Sequence, residues 1–86
     1  MELGEFLEIQ EKEDHCEISF VAITDLFEDY HMGLSYPYIK AIVKNHQIVE
    51  IDLYDMEEAM GIVIGESIRE QILSFMANNN LSSNTG

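Results

Sequence analysis

The chain has 86 residues and a mass of 9.9 kDa. Seventeen Asp and Glu stand against four Lys and Arg, a formal charge of −13 at pH 7. So few cations exclude direct binding to a nucleic-acid backbone, which needs Lys and Arg to displace counterions, and they exclude docking on an anionic membrane by the same argument.

Hydrophobic residues make up 47% of the chain, enough for one small globular domain and too many for a disordered acidic chain. A domain of this size buries only about 60–65% of its unfolded surface, so a homodimer or another partner would add needed stability. The domain is expected over residues 1–77, with residues 78–86 (NNNLSSNTG) as a disordered polar tail. No run approaches the ~18 apolar residues of a membrane span. The acidic start, MELGEFLEIQ, is too polar for a signal peptide, and Cys16 is the one cysteine, so no internal disulfide forms. A cytoplasmic location is expected.

Residues 5–11 (EFLEIQE) and 16–23 (CEISFVAI) alternate as two strands around the polar turn Lys12-Glu13-Asp14-His15. Pairing Ile9 with Ile18 puts Leu7 opposite Phe20 on one face and Glu8 opposite Ser19 on the other. Residues 24–32 read as one or two helical turns, capped by Thr24 or Asp25 and ended before Gly33. An irregular extension of the second strand is the alternative. Pro37 makes Tyr36 extended and sits where a strand can begin.

Residues 38–44 (YIKAIVK) and 48–54 (IVEIDLY) form a second hairpin. A two-residue loop at Asn45-His46 would pair Lys40 with Ile51 and bring Lys40 into the core. A three-residue loop, Asn45-His46-Gln47, pairs Val43 with Val49, Ala41 with Ile51 and Ile39 with Leu53 on a wholly apolar face. The opposite face then pairs Lys40 with Asp52, Ile42 with Glu50 and Tyr38 with Tyr54. A one-residue slip inverts every side chain, so the pattern selects the three-residue loop.

Asp55 reads as a helix N-cap, with Glu58 completing a capping-box variant and Glu57 suiting the positive helix end. Met60, Ile64, Ile68, Ile72 and Phe75 recur at helical spacing as a core-facing stripe. Gly61 and Gly65 each cost such a helix about 1 kcal/mol. The alternative is a short strand over residues 61–65, with the helix starting near Glu66. The fold class expected is α+β: a four-stranded, mainly antiparallel sheet of two hairpins with a C-terminal helix packed on one face. Strand order does not follow from these patterns.

No catalytic or cofactor motif is present. His15 and Cys16 are adjacent, so on a strand they point to opposite faces and cannot act as a pair. No set of residues has zinc-ligand spacing. His31 and His46 suit solvated surface positions. Asp25, Glu28 and Asp29, and the group Asp52, Asp55, Glu57 and Glu58, lack the layout of a calcium loop. Paired carboxylates could cleave a glycoside only within a cleft, for which the chain has little room.

The charge falls in two blocks. Residues 1–17 and residues 50–70 each carry net −6, while residues 18–49 carry −1 and residues 71–86 none. Tyr38 and Tyr54 share a face with Glu50 and Asp52, an arrangement of aromatic anchors ringed by charge. The expected function is therefore a non-enzymatic interaction module with no cofactor and no metal, one able to act as an inhibitor by docking on a basic, nucleic-acid-binding protein surface. Tyr38, Glu50, Asp52, Tyr54, Glu57 and Glu58 are the expected partner-binding residues. The alternatives are a structural homodimer or complex subunit whose charge serves solubility, and a small metal-binding or hydrolytic protein.

Overall fold

The computed structural model of the chain describes residues 1–23 and 37–79. The helical turns expected over residues 24–32 lie outside these residues, as do residues 80–86 of the expected tail. The chain is a small α+β domain. Strands β1 (Glu2–Glu11), β2 (Cys16–Ile23), β3 (Pro37–Lys44), β4 (Gln47–Asp55) and β5 (Glu58–Ala59) precede helix α1 (Glu66–Asn78). The sheet follows chain order, β1-β2-β3-β4-β5, with every neighbouring pair antiparallel. It therefore has five described strands rather than the four expected.

Alternation decides which face is buried. Cys16, Ile18, Phe20 and Ala22 from β2, Ile39, Ala41 and Val43 from β3, and Leu53 from β4 all point to the inner face and are buried. Ile68, Ile72 and Met76, spaced by four on α1, cover them. Ile64 joins the same core from the segment before the helix. Phe6, Phe20 and Phe75 tie β1, β2 and α1 together, with ring centroids 5.1–5.7 Å apart. Two of the three contacts are edge-on and one is stacked, geometries that add about 0.5–1.5 kcal/mol each beyond burial.

Bulges keep most of the expected faces in both hairpins but turn Leu7 and Val49, both expected inward, out to solvent. Ile9 pairs with Ile18 and Glu8 with Ser19, as expected, but Phe6 rather than Leu7 lies opposite Phe20. The register shifts between Phe6 and Glu8, which releases Leu7 to the outer face at 47% exposure. The gain is Phe6 in the aromatic cluster. A second shift falls between Leu3 and Phe6, where Gly4 passes so close to β2 that an added Cβ would lie 2.8 Å from the Val21 carbonyl.

In the β3–β4 hairpin, Tyr38–Tyr54, Ile39–Leu53, Lys40–Asp52, Ala41–Ile51 and Ile42–Glu50 pair as expected. The three-residue loop is corrected. Lys44 pairs with Gln47 around a two-residue tip, and both tip residues are left-handed, Asn45 at φ 54° and His46 at φ 65°. Such a tip matches the strand twist. The extra residue is Val49, bulged out between the Ile42–Glu50 and Val43–Ile48 pairs. A two-residue tip plus one bulged residue conserves the parity of a three-residue loop, so Lys40 stays off the core.

The continuous helix from Asp55 is overturned. Asp55 ends β4 and is buried. Met56 and Glu57 turn the chain in left-handed conformation, φ 51° and 69°, and Glu58–Ala59 returns along β4 as β5. Gly61, at φ 70°, cannot continue a right-handed helix. Residues 61–65 form no regular element, so the alternative strand is not present either. The helix begins at Glu66, with Gly65 as N-cap and no side-chain cap. Asn79 closes it, its backbone and side-chain N–H both donating to the Phe75 carbonyl at 3.1 and 2.8 Å.

Phe20 lies at the junction of the sheet, the helix and the aromatic cluster, at 2% exposure. Phe20→Ala should cost about 3–5 kcal/mol. That is a large part of the stability of a domain this small. Urea unfolding should show a midpoint lowered by that cost divided by the m-value.

Candidate functional site

The outer sheet face carries the residues that point away from α1. Three cross-strand rows define it. Val21, Tyr38, Tyr54 and Ala59 form one, Glu8, Ser19, Lys40 and Asp52 the next, and Gln10, Glu17, Ile42 and Glu50 the third. No described element packs across this face.

Its aromatic part is ordered by stacking. Tyr38 and Tyr54 are directly paired across β3 and β4, and their rings lie 5.5 Å apart at an angle of 13°. Lys40 Nζ sits 4.5 Å from the Tyr54 ring centroid and 3.6 Å from Glu17 Oε1. The Glu17 carboxylate also lies 3.6 Å from His15 Nε2, and His15 Nδ1 meets Asp14 Oδ1 at 2.8 Å. Lys44 Nζ reaches Asp14 Oδ2 at 3.5 Å. Two of the four basic side chains are thus engaged with carboxylates from the first acidic block.

The hydrogen bond with His15, and then the charge of Lys44, hold the Asp14 carboxyl below the usual aspartate value. A depressed carboxyl pKa favours the folded state above the ordinary value, and that contribution disappears as pH falls through the depressed one. Asp14 is mostly exposed, so solvent screening makes this a minor effect.

Ser19 produces the relief of the surface. Its short side chain lies between Glu8 on β1 and Lys40 on β3, both much longer. The result is a hollow of ≈ 520 Å³. Leu7, displaced by its bulge, and Glu8 form one wall. Tyr38 and Lys40 form another, and Glu17, Gln10 and Glu57 complete the rim. Gln10 Nε2 donates to Glu8 Oε1 at 3.0 Å.

The six expected partner-binding residues separate. Tyr38 and Glu57 line the hollow, and Tyr54 supports it through the tyrosine stack. Glu50 is exposed on β4 at the far end of the row that Gln10 and Glu17 share, and Glu58 is exposed on β5; neither lines the hollow. Asp52 has a structural role. Its Oδ1 accepts from the backbone N–H of Leu53 at 2.7 Å and of Ile62 at 2.9 Å, and its Oδ2 accepts from Gly61 at 3.0 Å. Leu7, Glu8, Gln10, Glu17, Ser19 and Lys40 escaped the sequence reading. The Glu8–Ser19 pairing was legible, but its adjacency to Tyr38 and Lys40 depends on strand order.

Cys16 is fully buried, and burial followed by the nearby Glu11 charge pushes its thiol pKa up. Among the described residues, no group of three or more His, Cys, Asp or Glu is arranged to hold a metal ion. No described helix is long and apolar enough to cross a membrane.

Two outcomes are expected. Asp52→Ala should destabilise the fold by about 1–3 kcal/mol, because three backbone donors lose their acceptor. Hydrogen exchange should show the loss first at the Gly61 and Ile62 amides. Cys16 should resist a thiol reagent in native buffer and react fully in denaturant, which an absorbance assay with a disulfide dye measures.

No protein-family model matches the chain, and neither a curated protein nor a solved structure matches it.

Proposed function

We propose that this protein is a small acidic, non-enzymatic interaction module that docks through its outer sheet face on a basic protein surface. One observation carries the reading. Glu8 and Glu17 come from the first acidic block and Glu57 from the second, yet all three line a single hollow together with Tyr38. The strand order keeps β1 and β4 about 14 Å apart, at roughly 4.8 Å per neighbouring strand. The hollow is where carboxylates of both blocks nevertheless meet an aromatic ring.

Tyrosine supplies a large contact area at low entropic cost, and surrounding carboxylates select a positive partner and speed encounter. A partner that uses the same basic surface for nucleic acid would be inhibited by competition. Glu50 and Glu58 would act at the periphery of such an interface. Asp52 would contribute through the segment it holds.

A second reading assigns the charge to solubility in a homodimer or complex subunit. It is favoured by Glu2, Glu5, Glu8 and Glu11 along β1, which lies at the sheet edge. Charges on an edge strand discourage unwanted strand pairing.

Affinity capture from the native lysate at two salt concentrations separates the readings. The interaction reading expects a basic protein that is retained at low salt and released at moderate salt. The double charge reversal Glu8→Lys and Glu57→Lys should abolish retention, while circular dichroism stays unchanged. Retention that ignores both salt and charge reversal refutes it. A stable dimer by light scattering, with no captured partner, supports the solubility reading.

A further inference from the structure

We infer that the hollow over Ser19 receives an arginine side chain of the basic partner, an assignment that rests on the interaction reading above. Ser19 is the reason the hollow points to a ligand. Its residue is only 6% exposed, it lies on the hollow's floor, and among the described residues its hydroxyl has no hydrogen-bond partner. That hydroxyl is not sealed from solvent, and from the floor it can accept from a donor that enters on the open side.

The walls fit a guanidinium. Among the described residues, Glu8, Glu17 and Glu57 supply three carboxylates around the hollow against one ammonium, that of Lys40. Lys40 is already committed to Glu17 at 3.6 Å and to the Tyr54 ring at 4.5 Å, so its charge is locally answered. Tyr38 offers a ring, braced by its stack on Tyr54, against which a planar cation can lie. Leu7 offers apolar surface for the methylene stem.

Arginine uses all of these at once. Its flat head stacks on an aromatic ring while its several N–H groups donate in fixed directions to the Ser19 hydroxyl and the rim carboxylates. Lysine brings a compact, strongly hydrated charge with no plane to stack, so it satisfies fewer of them. Met56 and Glu57 hold the turn in left-handed conformation and keep the Glu57 carboxylate at the rim.

The test uses the intact chain and three blocked tripeptides, acetyl-Gly-Xaa-Gly-amide with arginine, citrulline or lysine at the centre. Citrulline keeps the shape and loses the charge. Amide shifts in nitrogen–proton correlation spectra are followed on titration. The arginine peptide should give saturable shifts centred on Ser19 and Tyr38, with citrulline weaker by about tenfold or more and lysine intermediate. Ser19→Val removes the hydroxyl and raises the floor of the hollow with a methyl group, and should weaken the arginine peptide by about tenfold, with the spectrum otherwise well dispersed. Glu57→Gln, on an exposed turn, should weaken it severalfold and serves if Ser19→Val disturbs the fold. Equal shifts from the arginine and citrulline peptides would overturn the assignment. So would arginine binding that ignores both variants. If the peptides fail while salt-sensitive capture of a basic protein persists, only the arginine assignment falls. If capture fails as well, the interaction reading falls with it.

Discussion

The inner face of the sheet has to remain beneath α1. Phe20, Ile39 and Leu53 form one row across β2, β3 and β4, and Ile68, Ile72 and Met76 lie over that apolar layer. A slip of one residue in β3 would bring Lys40 into the core and turn Ile39 and Ala41 outward. Removing such side chains from water is the main favourable term in a small domain, so local geometry yields to it. The bulges follow. Val49 and Leu7 are extruded so that their neighbours keep the inward parity.

Those extrusions have consequences on the other side of the sheet. Leu7, displaced from its place opposite Phe20, becomes a wall of the hollow above Ser19. The β4–β5 edge is held by equally local means. Asp52 collects the backbone N–H groups of Gly61 and Ile62, and Leu53 accepts from Met60 at 2.8 Å. This anchoring permits two non-glycine residues, Met56 and Glu57, to remain left-handed, a conformation costing about 1 kcal/mol or more per residue. The same turn carries Glu57 to the hollow.

The net charge also acquires structure. Lys40 and Lys44 answer Glu17 and Asp14, and Arg69 donates to the Ile64 carbonyl at 3.1 Å, fixing the entry to α1. Basic side chains are thereby tied to the fold, and among the described residues the carboxylates of both acidic blocks outnumber the cations that could answer them. Glu8 and Glu57, from opposite margins of the sheet, stand at the same rim. The charge that first served only to exclude polyanions thus has a defined local centre.

The first four strands, the parity around Ile9–Ile18 in the first hairpin and from Tyr38–Tyr54 to Ile42–Glu50 in the second, and the inward set Ile18, Phe20, Ile39, Ala41 and Leu53 were legible in the sequence, because period-two alternation is a local property with a clear physical reward. The helix over Ile68 and Ile72 was legible for the same reason, from its spacing of four. The 55–65 segment was misread as helix, since Asp55, Glu57 and Glu58 imitate an N-terminal cap while the competing partners, the open edge of β4 and the Asp52 carboxylate, lie outside the segment. Tyr38 and Glu57 were expected at a binding surface, but their company was not. Which strand lies beside which, where a bulge falls, and hence the meeting of Glu8, Ser19, Tyr38 and Glu57, are decided by long-range packing. Pairing energies between distant strands have no signature within either strand, so only the tertiary structure could bring these four residues to one hollow.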